Sequence, residues 1–203
     1  MGQRGWFLDL SKCIGCETCA IACKAEWNTA PLSSPLHFKQ GALEAPRHVS
    51  YRWVVFRENG KYPKPQRLFI TSACNHCSEP SCLKSCPVSD QKDWANPNNA
   101  IIKRPSDGVV LINQDRCIGC RYCVWACPYG APQFNEVTNK VEKCTFCVHR
   151  IDQGLEPACV TTCVGRALFT EENFDSARAG EHAPPGFAHP RLSGPSIRFY
   201  PKS

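Results

Sequence analysis

The chain has 203 residues, of which 16 are cysteine, and a formal net charge of +6 at pH 7. Without the cysteines, roughly a third of the residues are apolar, which is below the usual share for a globular domain. The composition therefore excludes a fold held by an apolar core alone and predicts that cysteine chemistry cross-links the protein.

The positive charge would ordinarily favour an acidic partner such as nucleic acid or an anionic lipid surface. That count treats every cysteine as neutral. If the cysteines are instead metal-bound thiolates, their negative charge offsets much of this excess. We therefore interpret the basic residues as compensation for buried thiolates, and we expect no nucleic-acid partner.

Short strands and helical turns are predicted around cysteine-rich loops, as in an α+β fold. The predicted elements are, in chain order, a strand at 5–10, helical turns at 20–28, a hairpin within 51–73 that turns at Asn59–Gly60, a hairpin within 100–112 that turns at Asp107–Gly108, helical turns at 122–127 and a closing strand at 166–169. The N-terminal "MGQRGWFLDLSKC" has neither an apolar signal region nor a twin arginine, and no run is long enough to span a membrane.

The last part of the sequence, residues 171–203, is rich in proline and glycine and predicts an extended tail without regular helix. Its composition is typical of a disordered tail. The aromatic and apolar residues Phe187, Ile197, Phe199 and Tyr200 equally fit an extended arm along a partner, and the sequence leaves both alternatives open.

All sixteen cysteines fall into four groups of four, and none is left over. The groups are Cys13, Cys16, Cys19 and Cys23 (first), Cys74, Cys77, Cys82 and Cys86 (second), Cys117, Cys120, Cys123 and Cys127 (third), and Cys144, Cys147, Cys159 and Cys163 (fourth). Grouping without remainder indicates that each cysteine is a ligand.

The spacing distinguishes between the possible cross-links. Disulfides fit C-x2-C-x2-C poorly, because the middle cysteine has close neighbours on both sides. A zinc-rich structural or nucleic-acid-binding module is an alternative, but zinc prefers two separated C-x2-C knuckles, whereas every group here ends in C-x3-C. The run C-x2-C-x2-C-x3-C of the first and third groups is that of bacterial ferredoxins, in which three cysteines bind one [4Fe–4S] cube and the fourth binds a second cube.

Glycines support this interpretation. Gly15 and Gly119 lie between the first two cysteines of their groups, where a loop around a ligand needs a positive φ angle. Pro87 and Pro128 follow the last cysteines of the second and third groups, as in the ferredoxin run.

The motifs "CNHCSEPSC", "CIGCRYCVWACPYGAPQFN" and "KCTFC" with "PACVTTC", in this order, closely resemble the iron–sulfur subunit of complex iron–sulfur molybdoenzymes of the dimethyl sulfoxide reductase type, over about residues 5–170. The resemblance implies that the first group pairs with the fourth and the second with the third; spacing alone leaves a pairing of the third with the fourth open. The implied ligand sets are A (Cys13, Cys16, Cys19 and Cys163), B (Cys23, Cys144, Cys147 and Cys159), C (Cys74, Cys77, Cys82 and Cys127) and D (Cys86, Cys117, Cys120 and Cys123). Some relatives have tryptophan at the position of Cys117 and hold a three-iron cluster, so cysteine here implies four [4Fe–4S] clusters.

The resemblance also implies an arrangement of domains. Two ferredoxin-like 2[4Fe–4S] modules would be nested in sequence: residues 1–30 with 136–170 form the first module, and 74–135 form the second. Residues 31–73 would be an insert with a hairpin, and 171–203 the extended tail.

A subunit of this kind is not an enzyme on its own and has no catalytic residue. The resemblance implies that it relays electrons between a molybdopterin catalytic subunit and a membrane anchor that binds quinone, as a peripheral protein of the cytoplasmic membrane. Set A would lie nearest the catalytic subunit and set D nearest the membrane. An iron–sulfur subunit of a formate dehydrogenase, a hydrogenase or another complex without a quinone anchor is the alternative.

Two further residues attract attention because they lie between ligands. His76 is expected to pack or to hydrogen-bond to sulfur rather than to bind metal, since sixteen cysteines already supply four clusters. Trp125 is expected to be buried core that shields a cluster.

Overall fold

A computed structural model describes residues 2–27 and 49–201. Most of the predicted insert before its hairpin therefore lies outside the described residues. The helices are α1 (Thr18–Trp27), α2 (Ser81–Lys84), α3 (Tyr122–Ala126), α4 (Val148–Ile151) and α5 (Ala158–Thr161). The strands are β1 (Gly5–Asp9), β2 (Arg52–Asn59), β3 (Gln66–Ala73), β4 (Ile101–Lys103), β5 (Val110–Ile112), β6 (Gln133–Asn135), β7 (Lys140–Glu142), β8 (Leu168–Glu171) and β9 (Ile197–Tyr200). Short strands and short helices confirm the predicted α+β class.

A three-stranded sheet joins three distant parts of the sequence. β1 lies at its centre, antiparallel to β8 and parallel to β9. Phe7 of β1 faces Phe169 on one side and Arg198 on the other. The predicted strand at 5–10 and the closing strand after the fourth cysteine group are therefore confirmed, and they pair with each other.

The C-terminal segment supplies the third strand of this sheet. Ile197 and Phe199 of β9 are 5% and 1% exposed, so the segment contributes to the core of its own chain. It also contains two 3-10 turns, Ser176–Arg178 and Pro190–Leu192, and no α-helix up to residue 201. A disordered tail therefore does not describe the segment up to residue 201, whereas an arm along a partner stays a prediction.

Both predicted hairpins form, but their turns are longer than predicted. β2 and β3 pair up to Asn59 opposite Gln66, so the connection spans residues 60–65 instead of a two-residue turn. Pro63 and Pro65 explain the difference, because proline has no N–H to donate to the ladder. In the second hairpin, Lys103 of β4 faces Val110 of β5, and the loop between them contains the predicted Asp107–Gly108.

The helices pack in two pairs. α1 packs against α5, and α2 packs against α3. Each of these helices belongs to a C-x3-C step, and residues four apart lie on one face of a helix about one turn apart. Helix pairs therefore bring the first cysteine group to the fourth and the second to the third.

Cysteines take part in both apolar cores of the described residues. The larger core surrounds Trp6, whose ring stacks on Phe146 at a centroid distance of 4.0 Å. The smaller core surrounds Leu83, Ile101 and Val141. Cysteines supply four of the eighteen buried residues of the larger core and three of the seven of the smaller core, so thiols complement the aliphatic and aromatic side chains.

Candidate metal centres

All sixteen cysteines lie in the described residues, and none forms a disulfide. Ten of them are buried, and most of these belong to the two apolar cores. A buried thiol far from any partner would favour its neutral form, so the neighbours of each cysteine decide what it can bind.

The loops between the first two cysteines of the four groups have the same backbone geometry. The residue before the second cysteine has a positive φ in every group: 71° at Gly15, 43° at His76, 69° at Gly119 and 62° at Phe146. In the second and fourth groups the amide of this residue points towards the first cysteine: the nitrogens of His76 and Phe146 lie 3.5 and 3.4 Å from the Sγ atoms of Cys74 and Cys144. The prediction for the two glycines is confirmed, and two larger residues adopt the same strained conformation.

The four cysteines of set A line one cavity. Burial raises the pKa of Cys13, and its neighbours Cys19, Cys163 and Cys16 add to the effect by mutual repulsion of their thiolates. The Cys163 sulfur accepts from the N–H of Ala167 at 3.2 Å. Residues from the two ends of the cysteine-containing sequence thus surround one space.

The cysteines of set B meet beside α1. Burial raises the pKa of Cys23, and the charges of Cys144, Cys159 and Cys147 raise it further. Burial also raises the pKa of Cys144 to about 12 and that of Cys159 to about 11, although the nearby Arg52 acts in the opposite direction on both.

The four cysteines of set C line a second cavity, and those of set D line a third. In set C, burial raises the pKa of Cys77 to about 12, with further contributions from Cys74 and Cys127. In set D, the pKa of Cys123 rises to about 12 for the same reason, with Cys117 its strongest neighbour. The structure therefore brings together the cysteines of each predicted set.

Four thiols around one space fit the ligand requirement of a [4Fe–4S] cube, which presents four irons at alternate corners. Across the described residues, no group of three or more His, Cys, Asp or Glu residues is compact enough to hold a single metal ion. Cluster ligands must be thiolates, and iron supplies the positive charge that offsets the cost of burying them.

The structure corrects the prediction for Trp125 and confirms packing for His76. Trp125 is 86% exposed, because it lies two residues after Cys123 on α3 and therefore on the face opposite to the cluster ligands. His76 is fully buried, its Nδ1 accepts from the Val110 N–H at 3.0 Å, and its ring meets Phe146 edge-on.

The geometry defines a class of protein that binds several iron–sulfur clusters, and sequence comparison agrees. Two protein-family models, both described as "4Fe-4S dicluster domain", match residues 12–90 and 65–173. Both models describe [4Fe–4S] cofactors, and together their matches include all sixteen cysteines, which are enough ligands for four such clusters. The alternative of a zinc-rich module is wrong.

Similar curated proteins include the beta subunit of perchlorate reductase from Dechloromonas aromatica, which is 34% identical over 82% of this chain. The beta subunit of dimethylsulfide dehydrogenase from Rhodovulum sulfidophilum is 33% identical over 82% of this chain. The matching polypeptide of the anaerobic dimethyl sulfoxide reductase from Escherichia coli is 36% identical over the same share, 82%. The protein spans 63%, 66% and 72% of the lengths of these three relatives, respectively.

The protein belongs to the family of iron–sulfur beta subunits of molybdoenzymes of the dimethyl sulfoxide reductase type. Members of this family transfer electrons and are not the catalytic subunits of their complexes. Among the helices that the structure describes, none is long and apolar enough to cross a bilayer.

Proposed function

We propose that the protein holds one [4Fe–4S] cluster in each of sets A, B, C and D, and that electrons pass along this row between a molybdopterin catalytic subunit and a quinone-binding membrane anchor. Each cluster supplies a one-electron couple when bound. The protein fixes the spacing of the couples and sets their potentials through burial, hydrogen bonds to sulfur and nearby charge. The observation that carries the proposal is the grouping of the cysteines into four sets of four.

The proposed order A–B–C–D rests on the elements that neighbouring sets share. Cys19 of set A and Cys23 of set B lie one turn apart on α1. Set B lies beside set C, since the buried thiol of Cys144 is affected by the charge of Cys74. α2 carries Cys82 of set C and is followed by a ligand of set D.

The nested arrangement of two ferredoxin-like modules has the same support. α1 packs on α5, which joins residues 1–30 to 136–170, whereas α2 packs on α3 within 74–135. Each proposed module thus contains one helix pair, and each pair carries ligands of two clusters. We propose these boundaries for the modules.

A fixed row of clusters, each passing one electron at a time, explains why no side chain of this subunit needs to act on a substrate. The partner subunits supply the electron donor and acceptor, and the substrate is determined by the catalytic partner. The proposed location is the surface of the cytoplasmic membrane, where the anchor would hold the complex.

Iron content and paired substitutions test the ligand sets. The native complex, purified anaerobically, should contain about sixteen irons per copy of this chain, four for each cube. Replacing Cys19 and Cys23 singly by alanine should each remove about four irons, but from different clusters, although the residues share a helix.

The double variants separate the proposed sets from other pairings. Cys23→Ala with Cys144→Ala should lose only one cluster, since these two cysteines are both in set B. Cys19→Ala with Cys144→Ala should lose two. Loss of two clusters from the first double variant would overturn the sets.

The electron row is tested by identifying the subunits that co-purify: a molybdenum subunit and a hydrophobic anchor are expected, and their absence would refute the proposed partners.

A further inference from the structure

A buried arginine lies between sets A and B. Arg52 of β2 is 2% exposed, and its guanidinium stacks over the ring of Trp6, with Cζ 4.6 Å from the ring centroid. Nη1 donates to Thr71 Oγ1 at 3.0 Å. Within the described residues, Nε and Nη2 are buried without an oxygen or nitrogen acceptor, and the guanidinium hydrogen-bonds instead to the thiolate of Cys159, which acts to lower the pKa of that cysteine. A buried cation is strongly unfavourable without a compensating negative charge, so the neighbouring sulfurs decide its stability.

The charged neighbours of Arg52 are cluster ligands. Burial acts to lower its pKa, but the thiolates of Cys159, Cys19, Cys144 and Cys23 raise the pKa above its usual value. Cys19 is in set A, and the other three are in set B. The guanidinium is therefore placed to compensate negative charge in both sets.

A second contact gives set A a directed hydrogen bond. Thr71 is 4% exposed, and its Oγ1 lies 3.2 Å from the Sγ of Cys19. Arginine has only donors, so Thr71 Oγ1 accepts from Arg52 and its single hydroxyl hydrogen is left for the Cys19 sulfur. Arg52, Thr71 and Cys19 form a series of hydrogen bonds that ends on a set A ligand.

We infer that Arg52 is a positioning residue for electron transfer: its fixed charge, shared by sets A and B, raises the reduction potentials of both clusters, and Thr71 extends its effect to Cys19. The inference rests on the proposed ligand sets. Reduction adds one electron to a cluster, and a nearby positive charge stabilises the more negative reduced state. Arginine stays protonated throughout, so Arg52 itself neither gains nor loses a proton in this step.

The test is a redox titration of the loaded full-length protein, followed by low-temperature electron paramagnetic resonance. Wild-type protein should show four one-electron steps. Arg52→Gln should lower the reduction potentials of two steps by about 59 mV, which corresponds to about tenfold in the equilibrium constant of a one-electron couple. The potentials of the other two steps should stay unchanged. Arg52→Lys keeps the charge and should stay within about threefold of wild type, a change of less than about 1 kcal/mol.

The series of hydrogen bonds is tested separately. Thr71→Val should lower only one of the two steps that Arg52→Gln moves, and Thr71→Ser should restore it. The matched control is Lys61→Gln, which removes one charge from an exposed residue in the loop of the same hairpin and should move no step. If Arg52→Gln does not retain its clusters, Thr71→Val should still lower one of the four steps, and an unchanged titration of this variant would overturn the effect of Arg52 on set A.

The outcomes distinguish this inference from the proposed function. If wild type shows four steps and Arg52→Gln shows the same four reduction potentials, the role of Arg52 is overturned, but the proposal of four clusters stands. An equal shift of all four steps would also overturn it, because it would indicate a general charge effect. Fewer than four steps and fewer than about sixteen irons in wild type would instead refute the ligand sets.

Discussion

The hydroxyl of Ser193 lies 3.3 Å from the sulfur of Cys77, although 116 residues separate them in the sequence. Backbone hydrogen bonds hold the two segments together: the N–H groups of Ser78 and Glu79 donate to the carbonyls of Gly194 and Ser193 at 2.7 and 3.1 Å. The C-terminal segment therefore covers the loop of set C. Without a cluster, the Cys77 thiol donates to the Ser193 hydroxyl, which in turn donates to Tyr129 Oη at 3.4 Å. A cluster-bound thiolate has no proton, so the Ser193 hydroxyl would then donate to the Cys77 sulfur.

Replacing Ser193 by alanine should lower the potential of one cluster. A hydroxyl that donates to a thiolate stabilises the reduced cluster, and loss of one such bond corresponds to about 1 kcal/mol, or about fivefold in equilibrium constant. Redox titration of Ser193→Ala should show one step shifted downwards and three unchanged. Ser176→Ala is the control, since Ser176 is an exposed residue of the same segment. A shift in both variants would argue against the contact with Cys77.

Docking of the C-terminal segment should also determine stability. Phe199 is 1% exposed and its ring meets that of Phe187 edge-on at 5.2 Å, whereas the next residue, Tyr200, is 55% exposed. Phe199→Ala should therefore lower the unfolding free energy by about 3–5 kcal/mol, and Tyr200→Ala by less than about 0.5 kcal/mol. Anaerobic guanidinium unfolding, followed by far-ultraviolet circular dichroism, measures the difference. Equal midpoints would mean that the segment does not pack on the rest of the protein.

The strands and helices next to the cysteine groups can be predicted from the sequence because their signals are local. Cysteine spacing and a preceding apolar run specify each loop and its lead-in strand. β9 cannot be predicted in this way. It is a four-residue strand among prolines and glycines, and its partner β1 is far away in the sequence, so only tertiary packing determines whether it pairs.

The proposed ligand residues follow from the sequence, but their environment does not. Nothing in the sequence around Arg52 indicates that its guanidinium is buried beside the ligands of two sets. The positive φ of His76 is equally hidden, because the glycine that marks this position in the first and third groups is absent there. The hydrophobic side chain of Trp125 predicts a core position. However, Trp125 lies two residues along a helix from a cysteine of set D, and this spacing places it on the opposite face of that helix.

The loop of set D should not tolerate a side chain at Gly119. Its φ is 69°, and a Cβ atom there would lie 2.3 Å from the backbone oxygen of Asn139. Gly119→Ala should therefore displace the loop and reduce the iron content from about sixteen to about twelve per polypeptide, the loss of one cube. Iron analysis of the purified protein, with the number of redox steps, measures this loss.

Gly154 provides a matched control for that substitution. Its φ is 74°, but a Cβ atom at this position would have no described heavy atom within 4 Å, so Gly154→Ala carries only the conformational cost of about 1–2 kcal/mol. This variant should keep all four clusters. If both variants lost iron equally, backbone strain and not the contact with Asn139 would be the cause.

Proton competition should make the iron-loaded and iron-free forms respond oppositely to pH. Burial raises the pKa of Cys77, Cys123 and Cys144 from 9.0 to about 12, so the folded iron-free form holds protons that the unfolded form releases between these values. The stability that these thiols contribute is fully present below pH 9 and is lost as the pH rises towards 12. Iron binding instead requires thiolates and releases protons, so cluster retention should improve as the pH rises from about 6 to 9.

Two anaerobic measurements check this opposition. Urea unfolding of the iron-free form should give a midpoint that falls between about pH 9 and 11, because in this interval the unfolded state binds fewer protons than the folded state. Loaded protein held with a ferrous chelator should lose iron more slowly at about pH 8.5 than at about pH 6. Faster loss of iron at the higher pH would contradict thiolate ligation, since protonation of the ligands would then not be the route by which the clusters are released.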